Sequence, residues 1–186
     1  MIVLEGLDGS GKSTLAQRLS EDLQLPIHER ASSSIKGPVR DLWSWTIRDV
    51  HTLHEQPAAI YDRHPFVSNY IYGPIIHGRI QPEFLDDRVR AVYQKWMQNV
   101  LVIFCDPGDE PMGQNLASDT NQMPGVAEHF QALSLAYRAY FATYGGSFHH
   151  WDYTRPRDYE YMICRIKQHL LMFNARRNTT TFLEAF

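Results

Sequence analysis

Cysteine is scarce in this chain. Cys105 and Cys164 are the only two in 186 residues, both in apolar surroundings and without metal-ligand spacing. That usage points to a reducing, cytoplasmic compartment. No apolar run approaches the roughly 20 residues needed to cross a bilayer, so no membrane partner is expected. Surplus positive charge is missing too. Lys and Arg number 18 against 21 Asp and Glu, for a net charge of −3. There is thus no global basic signature for nucleic acid, although a local basic groove stays open. No internal repeat or long linker interrupts the sequence. An apolar strand begins at Met1, so no targeting peptide is expected. What is present is an ordinary globular composition, 44% hydrophobic and 21% charged, long enough for one α/β domain over 1–186.

One stretch organises the rest: Gly6-Leu7-Asp8-Gly9-Ser10-Gly11-Lys12-Ser13-Thr14. It fits G-x-x-x-x-G-K-[ST], the phosphate-binding P-loop pattern. The apolar run Met1-Ile2-Val3-Leu4 precedes it and reads as a buried strand. Leu15, Ala16, Leu19 and Leu23 follow at helical spacing. Strand, glycine loop and helix make backbone N–H groups converge on a phosphate, and the helix N-terminus adds roughly half a positive charge. Asp8, Gly9, Ser10, Gly11, Lys12, Ser13 and Thr14 would cradle ATP, with Lys12 on the β- and γ-phosphates and the Ser13 hydroxyl on Mg²⁺. The competing reading is a chance match in a glycine-rich turn; the flanking strand and helix argue against it.

Strands and helices alternate along the chain. Helices are expected over 12–23, from Pro38 to Leu53, over 82–98, over 126–144 and over 157–174; strands over 27–30, 58–62, 100–106 and 147–152. The stretch 63–81, rich in aromatics, Gly, Pro and His, reads as a short helix and a loop, and 107–125, with three Pro, as a polar lid loop. The alternation predicts a doubly wound α/β fold: a parallel sheet with helices on both faces.

Asp62-Arg63 falls at the carboxyl end of a predicted strand, the edge at which open α/β sheets bind ligands. Asp62 there can hold Mg²⁺ or its water, and Arg63 can grip a phosphate with a planar fork; a helix cap beside an exposed Arg is the plainer alternative. Glu29-Arg30 ends another strand. Glu29 is a candidate general base on an acceptor hydroxyl, or else a solvated loop charge. His51, His54 and the pair His149-His150 lack the further ligands of a closed zinc site. Trp43 fits the apolar face of its helix, while Trp45, Tyr70 and Tyr72 stand equally well as core or as base-stacking residues.

Taken in order, the loop 6–14, Glu29-Arg30 and Asp62-Arg63-His64 with Ser68 and Tyr72 resemble thymidylate kinases and their nucleoside-kinase relatives. The resemblance implies a P-loop NTPase fold with an acceptor-binding helical insertion at about 35–97 and a lid at about 107–125. It implies ATP with Mg²⁺, often a homodimer, and acceptor contacts from Arg63, with residues 152–157 bordering the adenine. Two departures bear on the acceptor. Such kinases carry an extra Arg in the loop or the lid, whereas here the loop has none and 102–131 contains no Lys or Arg. Two unit charges ~4 Å apart repel by about 4 kcal/mol at an effective dielectric near 20, so a phosphate acceptor would meet ATP poorly compensated unless Arg30, Arg40, Arg79 or Arg138 helps. Second, Ser68 and Tyr72 each fall one position late, and Gly73 stands where the family's base-reading Gln is found. Asn69 can substitute. Gln122 is a further candidate ligand contact, standing equally well as a helix-capping or turn residue.

The expected activity is therefore transfer of the ATP γ-phosphoryl to a pyrimidine deoxynucleotide-type acceptor, bound by Arg30, Arg63, Ser68, Asn69, Tyr72 and Gln122. A hydroxyl acceptor is favoured, on a nucleoside or on 5-hydroxymethyluracil within phage DNA. Thymidylate itself, or a deoxynucleoside of nucleotide metabolism, is the alternative. A nucleotide-binding ATPase switch is the alternative of another class; a guanine-reading N-K-x-D motif is absent.

Overall fold

The structure, a computed structural model, describes residues 1–28, 42–53, 55–118 and 123–183, without the side chains of residues 42 and 176–183. Its strands are β1 (Ile2–Glu5), β2 (Ile27–His28), β3 (Ile60–Asp62), β4 (Leu101–Cys105) and β5 (Ser147–Trp151). Its helices are α1 (Lys12–Leu23), α2 (Leu42–His51), α3 (Pro65–His77), α4 (Asp87–Asn99), α5 (Asp109–Ser118), α6 (Phe130–Ala142) and α7 (Asp158–Leu183). The strands form one sheet in the order β2-β3-β1-β4-β5, all pairs parallel. β1 is central: Ile2 lies between Ile60 of β3 and Leu101 of β4.

Strand alternation sorts the core into two layers. Val3, Tyr61, Val102 and Phe104 pack with Phe66 of α3, Trp96 of α4 and Leu133 and Tyr137 of α6. Ile2, Leu4, Ile60, Ile103 and Cys105 pack with Leu15 and Leu19 of α1 and Met162 and Ile166 of α7. Every residue of β1, β3 and β4 is buried. Such two-sided burial is why these strands are apolar up to the carboxylates that end β1 and β3, Glu5 and Asp62, the mark of a parallel sheet covered on both faces. The expected fold is the one observed, a P-loop NTPase fold.

Local differences have local causes. Where the sequence suggested a short helix and a loop after Arg63, α3 runs for 13 residues. Pro65 opens it at a position where a missing N–H costs nothing, and the His64 side chain accepts from the Phe66 N–H. Gly73-Pro74 falls in its last turns and masked the pattern. The expected helix over 82–98 is split: a 3₁₀ turn at Pro82–Leu85 ends at Asp86, whose side chain caps α4 through the Arg88 N–H. Residues 109–118, expected as loop, form α5, with Met112 and Leu116 buried one turn apart. α6 starts at Phe130 and not at 126, and α7 extends past 174 to Leu183. The reading of 29–41 as strand end, polar loop and helix start lies outside the described residues.

Candidate active site

The loop between β1 and α1 needs its glycines. Gly6, Gly9 and Gly11 have φ of 143°, 80° and 81°. A Cβ on Gly6 would sit 2.4 Å from the Cys105 carbonyl oxygen, and one on Gly9 2.6 Å from that of Met112. The loop is thus bedded against the end of β4 and against α5, with no room for side chains. Gly11 stands at the start of α1, which has no acidic residue in its first turn. The helix dipole there is left for an anion. Lys12 is buried, and its ammonium donates to the Leu7 carbonyl at 2.7 Å and to Ser10 Oγ at 3.3 Å. Burial lowers its pKa to about 8, assisted by the nearby Arg63 charge and opposed by Asp8 and Asp62.

Across the sheet edge, the Ser13 hydroxyl donates to Asp62 Oδ2 at 3.3 Å. A hydroxyl and a carboxylate this close suit Mg²⁺, which takes few protein oxygens and completes its shell with water and phosphate. Among the described residues no group of three or more His, Cys, Asp or Glu forms a metal cage. The close-approach loop, the buried ammonium and this oxygen pair together fit a nucleotide with Mg²⁺.

Next to Asp62, Arg63 has a φ of 75°, one of two non-glycine residues in the left-handed region among those described. Its N–H still donates to the Leu4 carbonyl at 2.9 Å. Its guanidinium pairs with Asp8 of the loop through Nη2, donates from Nη1 to the Tyr137 hydroxyl at 2.8 Å, and lies 5.2 Å from the Tyr72 ring centre. Burial works against the Arg63 charge, but Tyr72, Tyr137, Asp8 and Glu5 hold its pKa above the ordinary arginine value.

Sequence reasoning missed Glu5. It is the last residue of β1 and fully buried. Its carboxylate accepts from the His64 N–H at 2.6 Å, from Ser68 Oγ at 3.1 and 3.2 Å and from the Tyr137 hydroxyl at 3.2 Å. Burial raises its pKa, against the pull of Arg63. The available signal was a carboxylate ending an apolar strand just before the loop; a buried charge there requires partners. Tyr137, in mid-helix, gave no signal in the sequence.

The other expected contacts are distributed unevenly. The Ser68 hydroxyl faces Glu5. Asn69 Nδ2 donates to Gln81 Oε1 at 3.5 Å. The Tyr72 hydroxyl is buried with no hydrogen-bond partner among the described residues, and burial raises its pKa to about 12, with Arg63 opposing. Glu29, Arg30 and Gln122 lie outside the described residues, as do Arg40 and His54. Trp43 packs on the core beside Phe84; Trp45 meets His28 edge-on; Tyr70 is exposed against Phe84 and Tyr140.

Arg138 does not supply the missing cation. Its guanidinium donates to both Asp106 oxygens, at 2.7 and 2.9 Å, and to Asp109 at 2.8 Å. Asp109 also accepts from Ser134. This network ties the start of α5 to β4 and α6. The far part of α5 reaches the loop: Asn115 Nδ2 donates to the Gly9 carbonyl at 2.8 Å and to the Tyr153 hydroxyl at 2.9 Å. The Tyr153 ring in turn lies against Gly11, where a Cβ would stand 3.1 Å from it.

No protein-family model matches the chain, and no curated protein does. Solved structures do. The YorR protein from Bacillus subtilis, in complex with phosphorylated GDP, is 20% identical, with 94% of this chain and 97% of that chain covered at a TM-score of 0.64. Deoxyadenosine kinase from M. mycoides with bound dATP is 14% identical, with 95% and 98% covered at a TM-score of 0.57. The likeness is one of fold across nearly the whole of each chain.

Proposed function

We propose that the protein is an ATP- and Mg²⁺-dependent phosphotransferase whose acceptor is a hydroxyl of a deoxynucleoside-type molecule, pyrimidine first. The observation that carries the hydroxyl is the commitment of two of the described cations, Arg63 and Arg138. Arg138 is tied to Asp106 and Asp109. Arg63 is tied to Asp8. Around the loop, Lys12 and Arg63 face three carboxylates, Glu5, Asp8 and Asp62. Such a site can serve the phosphates of one nucleotide. A second dianion would compete with the transferring group for the Arg63 fork and would face Asp8 once that fork moved away. A neutral hydroxyl raises no such conflict. The deoxyadenosine kinase that shares the fold supports a nucleoside-type acceptor by its name.

Lys12 and the loop amides would hold the phosphates, and Arg63 the transferring group. Ser13 and Asp62 would hold Mg²⁺, which would supply neutralisation of the phosphate charge. Glu29, from outside the described residues, is assigned the hydroxyl proton. The acceptor oxygen then forms the new O–P bond as the bridging bond to ADP breaks. Asn69 and Tyr72 face the acceptor in this reading. Strand polymers bearing 5-hydroxymethyluracil, as in phage DNA, present the same hydroxyl chemistry.

The test is transfer from γ-³²P-labelled ATP to free deoxynucleosides, to thymidylate, and to DNA with ordinary or hydroxymethylated uracil. Label on a nucleoside or hydroxymethyl group is expected. Label on thymidylate alone would replace the hydroxyl reading, and full-rate ADP release without any acceptor would replace the kinase reading with an ATPase switch.

A further inference from the structure

Arg63 is held from behind. Its Nη1 donates to the Tyr137 hydroxyl at 2.8 Å, and that hydroxyl donates onward to Glu5 Oε2 at 3.2 Å. Glu5 is anchored independently by the His64 N–H at 2.6 Å and by Ser68. The chain Glu5–Tyr137–Arg63 therefore starts at the end of β1, passes through α6 and ends on the guanidinium. The opposite terminal nitrogen of Arg63, Nη2, faces Asp8 in the loop. The two nitrogens thus have different holders, one on the scaffold and one on the loop. The Tyr137 ring is locked as well, stacked on Phe104 with 10° between planes and only 1% exposed.

We propose that Tyr137 is a positioning residue for phosphoryl transfer: it fixes one nitrogen of Arg63 so that the other can pass from Asp8 to the transferring phosphoryl. The motion is then a swing about a fixed point and not a search by a free side chain. Glu5 supplies the buried negative charge that keeps the Tyr137 hydroxyl pointing inward, with its lone pair toward Arg63. The proposal rests on the phosphotransferase reading for the role of Arg63, but its test does not need the acceptor.

The test compares the calorimetric affinity for ADP and Mg²⁺ with and without aluminium fluoride, which mimics the phosphoryl group in transfer. The wild type is expected to bind ADP more tightly with the fluoride. Tyr137→Phe removes one hydrogen bond to a charged group, so that tightening should fall about 10- to 100-fold, while affinity for ADP alone changes less than about threefold. In an Arg63→Gln background the same substitution should cost nothing further. Tyr140→Phe, which removes from the same helix a hydroxyl bonded to Tyr93 and not to Arg63, controls for loss of stability. Should Tyr137→Phe not fold, Tyr137→His, which keeps a ring with a donor and an acceptor, is expected to retain the tightening that Arg63→Lys loses. Equal tightening in Tyr137→Phe and wild type, additivity with Arg63→Gln, loss in Tyr137→His as large as in Arg63→Lys, or no tightening in the wild type would each overturn the proposal. A wild type that tightens but labels no acceptor would instead overturn the hydroxyl reading and leave Tyr137 in its role.

Discussion

Lys12 pays for its position with its proton. The residue is 4% exposed and the pKa of its ammonium is lowered to about 8, chiefly by burial. Nucleotide binding needs the charged form, so ADP–Mg²⁺ affinity should weaken about tenfold between pH 7 and pH 9. Stability moves the other way. The unfolded chain keeps the proton up to the ordinary lysine value, so from about pH 8 upward the nucleotide-free fold gains stability as it sheds a proton the unfolded state retains. Calorimetric titrations and melting curves in parallel should show the two trends crossing. Lys12→Met should flatten both and lose transfer. A pH-independent wild-type affinity would contradict the buried ammonium. The loop residues that set this up were legible because their spacing is dictated by backbone geometry. Glu5 and Tyr137 were not, because their meaning comes from burial and from partners 132 positions apart.

At the scale of elements, legibility followed amphipathic contrast. α1 and β4 declared themselves by a periodic face and by an unbroken apolar run. α3 did not, since its six buried residues include Pro65 and Gly73 and it is apolar nearly all round. α5 did not either: its Pro and Gly content imitates a loop, and it is held by charges contributed from elsewhere. Arg138 provides those charges, lying across Asp106 and Asp109: burial works against the Asp106 charge but Arg138 holds that carboxyl below the usual range, and Ser134 first, then Arg138, does the same for Asp109. Arg138→Ala should therefore raise amide exchange across 109–118 by an order of magnitude or more, without a comparable change in α1 or β4. Exchange mass spectrometry checks this; uniform protection in the variant would show that Met112 and Leu116 alone hold the helix. Asn115 meets the loop from the same helix, through the Gly9 carbonyl.

For the molecule as a whole, the larger of the two core layers covers β1, β3 and β4 on the side of α3, α4 and α6. Trp96 is wholly buried there, stacked with His64 and edge-on to Phe66. Trp96→Ala should cost ~3–5 kcal/mol and lower the melting temperature by roughly 10 °C. A drop under about 2 °C would mean that the layer collapses to fill the space. Because His64 follows Arg63 directly, the same variant should also impair transfer, through the backbone that presents the guanidinium. No described helix is long and apolar enough to cross a membrane.

The central place of β1 has a consequence for biosynthesis. Made before the other described strands, β1 is the middle one of the sheet, and one of its neighbours, β4, ends at Cys105. At about 5–20 residues per second, a ribosome would leave Ile2–Glu5 without that neighbour for several seconds or more. Nascent chains arrested before residue 100 should therefore be cut readily near the amino end by added protease, and chains released after residue 151 should resist it.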